Sequence, residues 1–280
     1  MAPGKGSAPE TSSLTFPNGT FLGEHYTSRR MFPYRDDNPP VLTPFVTVSV
    51  IAANLAVWVL VQGMGADQRL AASVCELGLV PGDLLHLLPA GSTIPISDGI
   101  GCVVGEGSPW RTLITSMFLH GGWMHLLGNM WFLWVFGNNV EDSMGHGRFL
   151  SFYLLCGLAA AAAQVFVDPS SAVPMVGASG AISGVLGAYV ILYPRVRVHV
   201  LVFVVFIFRT SIPAWAMLGY WFFLQLLGAG MEHGVGGVAV WAHIGGFLAG
   251  AVLIALFRSP TLLARRAAIL SGRSWQGRPA

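Results

Sequence analysis

The chain has 280 residues, 54% of them apolar and only 10% charged, with a mean hydropathy of +0.63 and a formal net charge of +2. A soluble domain carries about a quarter charged residues, so a soluble globular fold is excluded and an all-α polytopic membrane protein is expected. The small net charge, with no basic stripe interleaved with aromatics, gives no reason to expect nucleic acid. Thirty-five glycines in so apolar a chain point to helices packed closely through small residues.

Residues 1–42 are polar and rich in Pro, Gly and Ser, carry no signal-peptide pattern, and are read as a cytosolic tail. The run from Met31 to Pro40 is expected at the membrane surface, short of being a helix. Six apolar segments, near 43–64, 112–137, 148–167, 179–193, 213–230 and 239–257, are long enough or nearly so to span a hydrocarbon core of ~30 Å. They define a membrane domain over 43–257. The apolar run 198–208 is too short to span and is flanked by Arg195, Arg197 and Arg209, so it is expected at the interface. Residues 258–280 form a basic cytosolic tail, for which attraction to anionic lipid is sufficient explanation.

The distribution of Lys and Arg sets the direction. Lys5, Arg29, Arg30, Arg35, Arg148, Arg195, Arg197, Arg209 and the arginines after 257 fall on one side, and Arg69 and Arg111 on the other. Both termini are therefore expected to be cytoplasmic, in a plasma membrane of bacterial type. Cys75 and Cys102 share the first outer loop, which makes them candidates for a disulfide. The leucine-rich stretch Leu79–Leu88 is expected in the membrane interface, as a loop packed on the bundle rather than a docking site.

Spans two, four and six run inward, so His120, His125, Asn129, Ser179 and His243 come to similar depth in the outer half of the membrane. Polar groups there are costly and mark functional sites by default. Segment 179–193 is ~22 Å long as a helix. It therefore starts below the surface, with loop 168–178 dipping in to reach it, which irregular backbone does only beside a protein-lined or watery cavity. Gly180 and Gly184 on one span and Gly246 and Gly250 on another offer a close approach that would aim His243 at Ser179. A histidine base beside a serine makes a nucleophile. His125 and Asn129, spaced i, i+4, share a face and are candidate donors to an oxyanion, as is the Ser179 amide at a helix N-terminus. His120 falls on another face and is given a structural role. No Asp or Glu lies within a span, so a Ser–His dyad is expected, with Asp168 as the sole candidate for a third member. The bland alternatives are that Ser179 bonds its own helix and that the His and Asn residues serve only as interhelical hydrogen bonds.

Trp110-Arg111, His120…His125…Asn129, Gly177-Ala178-Ser179-Gly180 and Ala242-His243…Gly245-Gly246…Gly250 together resemble the rhomboid intramembrane serine proteases over roughly residues 43–257. The resemblance implies a six-transmembrane-helix bundle with Ser179 as nucleophile and His243 as general base. It implies His125, Asn129 and the Ser179 amide as the oxyanion hole, and Gly177 in the substrate-binding loop. Transmembrane proteins would be the substrates, no cofactor or metal is called for, and the fifth span with its cap loop (about 213–238) would gate access. Glu141 fits the family pattern as a structural residue. Where some rhomboids place a tyrosine stacked on the histidine, this chain has Ser183, so His243 must be held in another way.

Competing readings are a catalytically silent relative that binds client membrane proteins, and a metal-binding transporter using His120, His125, His233 and His243. The first would show loss of Ser or His, yet both are present; the second lacks a carboxylate or cysteine partner and inverted repeats. No His-Glu-x-x-His and no intramembrane aspartate pair occurs, which removes the zinc and aspartyl types of membrane protease.

Overall fold

The structure is a computed structural model that describes residues 30–97, 100–105, 107–203, 207–231 and 239–272. The expectations for residues 1–29, for the 232–238 part of the cap loop and for Arg273 and Arg278 lie outside the described residues.

In chain order, β1 (Arg30–Asp36) leads to α1 (Phe45–Leu60). The long first loop holds α2 (Asp67–Leu77), the single turn α3 (Pro81–Leu84) and a hairpin of β2 (Thr93–Ser97) and β3 (Ile100–Val103). The short α4 (Thr112–Thr115) precedes α5 (Trp123–Phe132), a π-helical turn (Leu133–Gly137) and α6 (Asn138–Met144), the last three running on without a break. Then come α7 (His146–Val167), α8 (Ser179–Leu192), β4 (Arg197–Phe203), β5 (Ile207–Pro213), α9 (Ala214–Met231), α10 (Val240–Phe257) and α11 (Pro260–Leu270). Among the described residues α7 and α10 are long and apolar enough to cross a membrane, and Phe45–Leu60, Ser179–Leu192 and Ala214–Ala229 are shorter apolar helices.

The expected span 112–137 is not one helix. The chain opens at Leu119–Gly122, where paired glycines weaken helix, and resumes at Trp123. Buried Gln62 closes the gap: its Oε1 accepts from His120 N (2.9 Å) and its Nε2 donates to His120 O (2.8 Å). At the other end the helix runs past 137 and stops only at Gly145, whose φ of +83° a side chain would strain.

Two small sheets are added to an otherwise helical chain. Of the run expected at the interface, 198–208, residues 198–203 belong to β4 and 207–208 to β5, while 204–206 lie outside the described residues; β1 joins as a third antiparallel strand in the order β1-β4-β5. Alternation explains it: Val198 and Val200 are buried in the core while Arg197 is exposed and His199 pairs with Asp37 (2.8 Å). The end of the segment expected as a tail thus supplies a strand that pairs with β4.

Helix α8 is the centre of the bundle, buried from Gly180 to Tyr189. Small residues set its contacts. A Cβ on Gly246 would lie 2.1 Å from Gly180 O, and one on Gly250 only 1.9 Å from Gly184 O, so α8 and α10 touch backbone to backbone along the stripe. At the far end of the bundle, Glu141 is wholly buried. Its oxygens accept from Val46 N (2.9 Å), Thr47 N (2.8 Å) and Thr47 Oγ1 (2.7 Å), capping the start of α1. Asp142 accepts from Val41 N, Leu42 N and Arg266 Nε. Arg266, expected among the lipid-facing charges of the tail, is 7% exposed; it also binds Asn38, Pro39 O and Asn139 and lies over the Tyr193 ring. It anchors α11 to the bundle.

Candidate active site

Helix α8 begins at Ser179, so the Ser179 N–H is among those its own helix leaves unsatisfied. The loop before it is held from two sides: Leu79 of the first loop and Met175 exchange two backbone hydrogen bonds, and Gly177 N donates to Ser116 O, just after α4 (2.9 Å). That first loop is itself braced by the Cys75–Cys102 disulfide and, one residue on, by the Arg111–Glu76 ion pair (3.2 Å). Leu79 and Leu84 are buried against Ala161, so these two leucines pack on the bundle, whereas Leu85 and Leu87 are exposed. Gly177 has φ +131° and sits in a tight place: a Cβ there would be 2.8 Å from His125 Cε1 and Nε2 and 3.4 Å from Ser179 Oγ. Only glycine fits where these two side chains converge.

Close packing of α8 on α10 brings His243 over the start of α8. Its Nε2 lies 2.8 Å from Ser179 Oγ. The serine that bonds its own helix is Ser183, whose Oγ donates to Ser179 O (2.7 Å). Ser179 is thus left to the imidazole.

His243 Nδ1 lies 2.9 Å from Gln225 Oε1 of α9. Asp168, the expected third-member candidate, is exposed at the end of α7, so an amide stands where an acid was sought. Trp221, one turn before Gln225, flanks the imidazole at 6.1 Å and 41°, in place of the stacked ring that Ser183 cannot provide. Neither Gln225 nor Trp221 follows from motif spacing. The available signal was an amide isolated in the apolar run of α9.

His125 and Asn129 fall on the same face of α5, as their spacing requires. Gly121 N donates to His125 Nδ1 (3.3 Å), so the neutral ring carries its proton on Nε2, on the side of the ring that faces Gly177. Buried Asn129 Nδ2 has no hydrogen-bond partner among the described residues. His120 meets His125 edge to face at 5.1 Å, with its backbone clamped by Gln62 as described above and both ring nitrogens unpartnered among the described residues. A cavity of about 40 Å³ opens beside Ser179, lined by Met117, Gly157, Ala160, Gly177 and Gly180. It is roomy enough for water. Among the described residues no three His, Cys, Asp or Glu side chains are grouped to hold a metal ion.

The Rhomboid domain family model matches residues 106–260, more than half of the chain and all of this site. The chain belongs to the rhomboid family. It is 37% identical over 102 residues to RHOMBOID-like protein 5 of Arabidopsis thaliana, covering 35% of this chain and 33% of that protein. It is 43% identical over 86 residues to rhomboid protease GluP of Bacillus subtilis (31% and 16%), and 29% identical over 143 residues to rhomboid protein 1, mitochondrial, of Saccharomyces cerevisiae (50% and 39%). The matches thus span well under two thirds of these relatives' lengths. As a rhomboid, the chain is an integral membrane protein with a helical, polytopic fold.

Proposed function

We propose that this rhomboid is an intramembrane serine endopeptidase that cleaves transmembrane segments of other membrane proteins near the outer leaflet. One observation carries the reading: Ser179 Oγ and His243 Nε2, 64 residues apart, meet at 2.8 Å beside a cavity. The membrane domain is read as 43–257 with six spans and both termini cytoplasmic.

In the reaction, Ser179 Oγ attacks the scissile carbonyl as its proton passes to His243 Nε2. Charge developing on the carbonyl oxygen is taken up by the Ser179 N–H, the His125 Nε2–H and the Asn129 amide. The protonated imidazole then gives its proton to the leaving amine, leaving an acyl-enzyme. Water enters, loses a proton to the same nitrogen, and the ester is hydrolysed, restoring Ser179. The substrate helix must unwind at the cleavage point, because a helical carbonyl is shielded by its own hydrogen bond.

The test is cleavage of a single-span reporter in liposomes by wild type, Ser179→Ala and His243→Ala. Each substitution is expected to lower kcat by at least ~10³-fold with the fold intact. Cleavage that survives Ser179→Ala, or no cleavage by wild type across several reporters, overturns the reading. The second outcome favours a client-binding role.

A further inference from the structure

We infer that Gln225 is a positioning residue for His243, and that its place on α9 makes the readiness of the base depend on how α9 is seated. The inference rests on the proposed protease reading and goes beyond it: the resemblance supplies a dyad, and nothing in it assigns a partner to the second imidazole nitrogen.

The argument starts from the two nitrogens. A neutral imidazole holds one proton. If His243 Nε2 is to accept the Ser179 proton, the ring's own proton must be on Nδ1, and an acceptor facing Nδ1 selects that tautomer. Gln225 Oε1, 2.9 Å away, is such an acceptor. When Nε2 takes the serine proton, Nδ1–H stays in place and its bond to the amide oxygen becomes charge-assisted. The side chain thus orients the ring before reaction and steadies the imidazolium during it, without itself gaining or losing a proton.

The seat of α9 is equally specific. Phe222 stacks on Phe247 of α10 at 4.6 Å, and Trp221 lies 6.0 Å from the same ring. Trp221 and Gln225, one turn apart, form the face of α9 that meets His243. Ser179 and His243 ride on α8 and α10, locked by the glycine stripe. Gln225 instead rides on a helix whose start is buried in the core through Met217 and Leu218 but which meets α10 beside His243 through the aromatic rings of Trp221 and Phe222. Displacing α9 would therefore leave the 2.8 Å serine–histidine pair intact while removing the group that selects the imidazole tautomer.

The experiment is a substitution set on the full chain in liposomes, read by reporter kinetics and by the rate at which a fluorophosphonate labels Ser179. Gln225→Leu is expected to lower kcat and the labelling rate by ~10- to 100-fold with KM little changed, the size of a lost hydrogen bond to a charged group. Gln225→Glu keeps an acceptor oxygen and is expected to recover most of that loss. A structural role alone would not be rescued in this way. Gln225→Met, close in volume to glutamine, replaces the leucine variant should that one fail to fold. In a Phe222→Ala background, which loosens the seat without touching His243, Gln225→Leu is expected to cost at least ~3-fold less than in wild type. Wild-type kcat and labelling in Gln225→Leu, or no rescue by glutamate, overturns the positioning role. Additive effects of Phe222→Ala and Gln225→Leu overturn the dependence on the seat. Either failure leaves the protease reading standing if Ser179→Ala is inactive, so the two are separable.

Discussion

The two ends of the α8 bundle treat polar side chains in opposite ways. Around Ser179, small residues bring backbones together and leave hydrogen-bonding capacity unspent: the His120 ring nitrogens and Asn129 Nδ2 have no partner among the described residues. At the far end, large polar groups are nearly saturated. Glu141 accepts three bonds from the start of α1, and Arg266 reaches Asp142, Asn38, Pro39 and Asn139 at once. Asp36 accepts from Tyr189 Oη and Asn139 Nδ2. Asn38 Nδ2 is an exception there, and farther into the bundle Asn54 Oδ1 and Tyr153 Oη also lack partners among the described residues. A buried polar group without a partner costs stability. That cost is concentrated on the His120 and Asn129 side chains beside the candidate site, whereas Glu141, Asp142 and Arg266, which tie the chain ends down, are multiply bonded.

The contrast can be broken most severely along the glycine stripe. Gly250→Val would drive a side chain into Gly184 O and push α10 from α8. It is expected to cost about 3 kcal/mol or more and to abolish labelling of Ser179. Thermal unfolding in detergent with fluorophosphonate labelling checks both, and an active, stable variant would contradict the packing.

Arg266→Met should separate the ends. It leaves Asp142 buried without its cation and is expected to lower stability by ~3–5 kcal/mol. Activity per folded molecule should be unchanged, since the pair is remote from Ser179. A change in kcat without a change in melting temperature would contradict that division.

The smallest effect is one of pH. Burial raises the Asp36 carboxyl to about 6, against the opposing effect of its bond from Tyr189. The folded state therefore holds the proton more tightly than the unfolded chain does. Its contribution is full below the unfolded value near ~3.9 and is lost as pH rises through about 6. Asp36→Asn, which keeps an acceptor, is expected to remove this dependence. The check is melting temperature between pH 4 and 7 for wild type and variant; equal slopes would show that β1 docking does not sense Asp36.

Much of this was legible in the chain. Low charge and long apolar runs announced helices in a membrane, and Ser179, His243, His125 and Asn129 stood out because polar residues at shared depth need a reason, whereas Gly177 entered only through the resemblance. The glycine pairs 180/184 and 246/250 foretold which helices touch. The sheet was hidden because β1 and β4 are more than 150 residues apart, and an alternating Val run reads equally as an interfacial segment. Arg266 looked like one more basic tail residue; its burial depends on Asp142, which sequence proximity cannot reveal.

Residue type and helical period thus determined by themselves the membrane setting, the candidate nucleophile and base, and the face on which their helices meet. They are local properties, written every three to four positions. Only the tertiary structure decided that Nε2 of His243 stands 2.8 Å from Ser179 Oγ and that Nδ1 is met by Gln225 of α9. A hydrogen bond between helices is set by the docking of three separate segments to within a few tenths of an ångström, and no period along one chain encodes that distance.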